Sequence, residues 1–186
     1  MAASAEGLMA MTERTILINR APVLTLWATI VAERLGFDRD EALSLGKAVA
    51  GLTAQSKGRR LGIYKPVPQE VQKARARKRG EEFLVEICGR RVPAINTPDG
   101  VRAVIKNKPI EAMSAEKYLE SKFGESLGTA RAAMRDLARS FRPEQLLTNA
   151  FSLYEEFRPA IPEGVTGWGA KGNLDIGRIR SLASEE

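Results

Sequence analysis

Histidine is absent from this 186-residue chain, and cysteine occurs once, at Cys88. The first absence excludes Ser-His and Cys-His nucleophilic pairs and every imidazole metal ligand. The second excludes an internal disulfide and a multi-cysteine zinc site, and a lone thiol suits a reducing, cytoplasmic setting. Aromatic residues make up only 6%, which leaves little surface for stacking unpaired bases. No apolar run approaches the roughly 18 residues that a membrane span needs.

What remains is an ordinary globular balance, 44% hydrophobic and 28% charged. A chain of this length buries roughly 70% of its unfolded surface, enough for a core without staples. The expected fold is mainly α with a small β element (α+β). Residues 1–11 are small-residue rich and aperiodic, so they are expected to be disordered, and they lack the pattern of a secretory signal. A helical region is expected over 12–63, a basic connecting helix over 64–80, and a β-hairpin with a C-terminal helical group over 81–186.

The local signals are specific. Thr15-Ile16-Leu17-Ile18 reads as a short strand. Val23, Leu24, Trp27, Ile30, Val31 and Leu35 follow at spacings of three and four, a helical stripe closed by Gly36. Asp38 with Glu41 forms a capping box for a second helix, running to about Gln55. Gly58 and Gly62 are expected to hold Arg59-Arg60-Leu61 in a loop. Phe83, Val85 and Ile87 alternate, and a turn at Gly89-Arg90 leads into Val92–Ile95, with Pro93 assigning that strand to a sheet edge. Three helices then follow: one capped by Ser114, one striped by Leu127, Ala130, Met134, Leu137 and Phe141, and one opened by Pro143. A Gly-rich loop at 164–172 precedes a last short helix carrying Ile176, Ile179 and Leu182.

The net charge is +6, and its placement says more than its size. Residues 1–56 carry net −1 and residues 92–186 net zero, while residues 57–91 hold 11 basic and 4 acidic residues, net +7. A neutral chain with a basic middle points to a localised anionic partner. The candidate phosphate contacts are Lys57, Arg59, Arg60, Lys73, Arg75, Arg77, Lys78, Arg79, Arg90 and Arg91. Arginine predominates, as suits bidentate phosphate contact. Duplex DNA or structured RNA fits this segment better than a single strand, because aromatics are sparse within it. A membrane surface fits poorly, because the expected basic helix has no bulky apolar face.

Other motifs have plainer readings. Ala32, Leu35, Gly36, Phe37, Ala42 and Leu45 fall at helix-turn-helix spacings, but three carboxylates (Asp38, Asp40, Glu41) open the second helix and would repel phosphates. A structural helical hairpin accounts for them better. Gly167-Trp168-Gly169-Ala170-Lys171-Gly172 matches G-x-G-x-x-G by letter but lacks the flanking strand, long helix and distal acid of a dinucleotide site. Gly167, Gly169, Lys171 and Gly172 remain as a weak anion site before a helix N-terminus. Cys88 lies beside two arginines, but Ala94 occupies the position where phosphatase chemistry needs arginine. No metal and no cofactor are expected, and no residue is assigned a catalytic role. The leading expectation is a non-enzymatic nucleic-acid-binding protein. The alternatives are an adaptor that meets an acidic protein, and an enzyme that binds a phosphorylated or carboxylated small molecule at the Gly-rich loop.

Overall fold

The structure is a computed structural model that describes residues 15–60, 82–161 and 170–184, with the side chains of 15–54, 82–161 and 170–183. The expected disordered stretch 1–11, the basic helix within 64–80 and most of the Gly-rich loop lie outside the described residues. The fold is mainly α with a small antiparallel β component. In chain order come β1 (Thr15–Asn19), α1 (Arg20–Arg34), α2 (Arg39–Arg60), β2 (Glu82–Ile87), β3 (Arg90–Thr97), β4 (Gly100–Ile105) and β5 (Lys108–Pro109). There follow α3 (Ala112–Phe123), α4 (Leu127–Arg139), α5 (Pro143–Phe157), β6 (Lys171–Asp175) and α6 (Ile176–Ser184). Among the described residues no helix is long and apolar enough to cross a membrane.

Helix α1 is the centre. Its residues from Pro22 to Ala32 are all buried, so it packs on every side and not along one stripe. Trp27 is fully buried, donates its indole N–H to the Ala150 carbonyl at 2.9 Å, and meets Phe157 edge-on at 5.3 Å. The polar members of α1 bond backward: Thr25 Oγ1 donates to Ala21 O and Thr29 Oγ1 to Thr25 O. Against this face lies Gly46 of α2. A Cβ there would overlap Thr29 Oγ1 and sit 2.8 Å from both Thr25 O and Thr29 N, so only glycine allows the two helices this close. The expected capping box is present: Asp38 N–H donates to Glu41 Oε1 at 3.1 Å, and Glu41 N–H to Asp38 Oδ1 at 2.8 Å. Helix α2 continues to Arg60, past Gly58, so Arg59 and Arg60 are helical and not looped.

The expected hairpin is a four-stranded meander, in the order β2-β3-β4-β5. Its first turn is Cys88-Gly89, one residue earlier than the spacing predicts, with φ of 50° and 72° as a type I′ turn requires. Pro93 does not lie on an edge strand, because β3 is flanked by β2 and β4. The registers explain how proline is tolerated. Bonded pairs recur at every second residue from each tight turn, so Pro93 turns its missing N–H toward β4. There the β3–β4 ladder ends at Ala94↔Ala103, one residue short of Pro93.

The far side of β4 is closed by a side chain. Ile110 N–H donates to Ala103 O at 2.8 Å, and the return bond of that pair is relayed by Ser44. The Ser44 hydroxyl accepts from Ala103 N–H at 2.8 Å and donates to Ile110 O at 2.7 Å. Two residues earlier, Val101 N–H donates to Glu41 Oε2 at 2.9 Å. Helix α2 is thereby fastened along β4 from its first turn.

A second, two-stranded ribbon pairs β1 with β6, Ile18 opposite Gly172 and Ile16 opposite Leu174. The stretch 171–175 is therefore strand where loop is expected at 171–172. Helix α3 starts at Ala112, two residues before the expected cap, and Ser114 Oγ instead donates to Glu111 O inside its first turn. The stripes of α4 and α6 are buried as their spacing predicts. One continuous core joins Ile16, Trp27, Leu45, Val92, Leu137, Leu146 and Ile179 across all these elements.

Two stability outcomes follow from this packing. Trp27→Ala should cost about 3–5 kcal/mol and lower the melting temperature sharply; an unchanged melt would place the indole outside the core. Ser44→Ala should cost about 1–3 kcal/mol, because it strands a buried N–H and a carbonyl of the sheet. Chemical denaturation of both variants measures these losses, and a neutral Ser44→Ala would refute the relay.

Candidate nucleic-acid interface

Those basic residues of the 57–91 segment that the structure describes converge at one end of the meander. In a meander alternate turns lie at the same end, so Cys88-Gly89 and Lys106-Asn107 share one end of the sheet. Helix α2 runs beside β4 toward that end: Glu41 bonds Val101 near the opposite turn, and Ser44 bonds Ala103. Further along, Gly51 lies against Ile105, and Thr53 Oγ1 accepts from Arg90 Nε at 3.3 Å. Four residues beyond Thr53, about 6 Å further along the axis, the helix reaches Lys57, and Arg59 and Arg60 close it. The fold thus brings the helix end bearing Lys57, Arg59 and Arg60 to the strand start bearing Arg90 and Arg91. Lys73, Arg75, Arg77, Lys78 and Arg79 lie outside the described residues.

The local chemistry is uneven. Arg90 is half-buried and held by Thr53, whereas Arg91 is exposed. Glu86 stands directly opposite Arg91 in the β2–β3 register and offsets part of its field. Lys106 and Lys108 are exposed, and among the described residues neither they nor Arg91 form an ion pair. Both turns carry two residues at positive φ, with Lys106 at 51° and Asn107 at 70°. Such turns are short and fix the backbone from which their flanking side chains leave. The two lysines escape a charge count because they lie in a segment of zero net charge. The signals that reveal them are the alternation of Val101, Ala103 and Ile105 and an asparagine suited to a tight turn.

The remaining candidates separate from this end. Cys88 occupies the first turn position but is buried, and burial pushes its thiol up to about 12. It is a poor nucleophile there despite the neighbouring arginines. Lys171 and Gly172 belong to β6. A Cβ on Gly172 would overlap the Ala160 carbonyl oxygen and sit 2.6 Å from its carbon, so this glycine serves close backbone packing. The N-terminus of α6 is taken by its own chain, since Arg178 N–H donates to Asp175 Oδ1 at 3.2 Å. Gly167 and Gly169 lie outside the described residues. The helix-turn-helix spacing falls on the α1–α2 hairpin, whose first helix is buried from Pro22 to Ala32. Among the described residues no three acidic or thiol groups gather as metal ligands.

Comparison with protein-family models, with curated proteins and with solved structures finds no match to this chain. The functional reading therefore rests on the geometry above.

The buried thiol carries a pH prediction. Below about pH 9 Cys88 is protonated in both the folded and unfolded chain and adds no pH dependence. Between about 9 and 12 the unfolded chain releases that proton while the folded protein keeps it, so stability falls as pH rises. Tyr154, raised to about 12 mainly by burial, adds the same sign of loss above pH 10. Cys88→Ala should flatten the decline from pH 9 upward, and equal alkaline slopes in denaturation midpoints would show that the thiol is not buried.

Proposed function

We propose that the protein binds nucleic acid through its phosphate backbone, in the cytoplasm, without catalysing a reaction on it. The observation that supports this reading is the convergence of the α2 terminus (Lys57, Arg59, Arg60) with Arg90 and Arg91 at one end of the meander. The net +7 of residues 57–91 is thereby joined at its two extremities and not strung along the chain. Phosphate contacts position a protein on nucleic acid without reading bases, which suits cations that have no aromatic partner beside them. A double-stranded or structured partner presents the denser charge and needs no stacking platform.

If about five of the eleven cations of residues 57–91 neutralise phosphates on duplex DNA, log K should fall by about 4.5 per tenfold rise in salt. Changing Arg75, Arg77, Lys78 and Arg79 together to glutamine should flatten that slope and weaken unrelated sequences alike. Titration of labelled duplex DNA and structured RNA at several salt concentrations measures both. Wild-type binding no tighter than about 100 μM near 50 mM salt would defeat the proposal and leave an acidic protein as the partner.

A further inference from the structure

We infer that the β4–β5 turn, through Lys106 and Lys108, is a second phosphate-contacting element of the basic end, outside the segment that carries the excess charge. The inference rests on the nucleic-acid reading above and extends its contact surface. Three observations carry it. The meander places this turn at the same end of the sheet as Arg90, Arg91 and the Cys88-Gly89 turn. Both lysines are exposed and, among the described residues, have no carboxylate within ion-pairing distance. The turn is also a stiff one, with Lys106 and Asn107 both at positive φ.

Two cationic turns held at a set spacing match a partner whose phosphates are also set in space, namely a duplex. A flexible strand would have to be ordered to meet both. An unstructured acidic peptide gains nothing from this rigidity. The duplex is therefore the favoured occupant.

The test compares the full chain with Lys106→Gln/Lys108→Gln and with a charge-matched control, Arg139→Gln/Arg142→Gln. The control residues flank Phe141, whose carbonyl accepts Arg34 Nη2 at 3.0 Å near the α1–α2 connection, the opposite end of the molecule. Binding of a labelled DNA duplex is titrated against salt for all three. The lysine variant should lose about 1.8 from the salt slope, so that proteins matched near 1 M salt differ about 60-fold at 0.1 M. The control should keep the wild-type slope, and Lys106→Arg/Lys108→Arg should restore it, with the melting temperature of both lysine-site variants unchanged. A steep wild-type slope that the lysine variant retains overturns this inference alone. A slope lowered equally by the control also overturns it, because net charge would then explain the loss. Absence of wild-type binding removes the nucleic-acid reading itself.

Discussion

The Ser44 hydroxyl, inserted into the β4–β5 ladder, ties the helical half of the molecule to its sheet. Strand β5 is two residues long and cannot satisfy the outward N–H groups of Val101 and Ala103. An unmet buried N–H costs about 1–3 kcal/mol, and an open edge invites pairing with other chains. Helix α2 answers both demands with Glu41 and Ser44, spaced one turn apart on the face that meets β4. Glu41 also accepts the Asp38 N–H, so the residue that starts the helix sets its register along the strand. Once that register is set, the far end of α2 must arrive at the Cys88 and Lys106 turns. The basic end is a consequence of this edge closure.

The other side of α2 is governed by closeness. Gly46 lets the backbone of α2 approach Thr25 and Thr29 of α1. Because the Thr25 and Thr29 hydroxyls bond within their own helix, this approach buries no unmet polar group. One helix therefore touches the central helix by lacking a side chain and touches the sheet by having the right ones. Away from these contacts, Lys47 lies 3.6 Å above the Tyr118 ring, where burial, and then Lys122, lower its pKa.

Much of the helical framework was legible in the sequence because its signals are local. The Asp38–Glu41 box, the stripe of α4 and the inward Trp27 each follow from spacing alone. The complete burial of α1 had a signal that a stripe reading passes over, since no charged residue occurs between Arg20 and Glu33. The β elements were less legible, for different reasons. Strand β6 reads Lys-Gly-Asn-Leu-Asp and owes its existence to β1, more than 150 residues away in the chain. Strand β4 has the alternation of a strand but is six residues long and enters through Pro98-Asp99, a sequence equally suited to opening a helix. Pro93 misled because the edge rule refers to the missing hydrogen bond. A ladder that stops one residue early satisfies that rule inside a sheet. At the candidate interface the net charge located the segment, but only topology could bring Lys106 to Arg90.

The charges at this end do not all need a partner to explain them. Lys57, Arg59 and Arg60 occupy the last turn of α2, where the negative end of the helix dipole favours cations by about 0.3–1 kcal/mol each. Stability of the isolated protein is a sufficient reason for those three. The hairpin turns have no such reason, because antiparallel strands carry almost no net dipole. Arg90 has a second explanation in its bond to Thr53, and Arg91 is partly offset by Glu86. Lys106 and Lys108 have neither a dipole nor, among the described residues, a carboxylate to account for them. They flank a tight turn and are exposed at the end of the sheet that carries Arg90 and Arg91. The proposed role of the basic end is therefore best tested at the turn that a count of charge along the chain passes over, where no carboxylate among the described residues pairs with the charge.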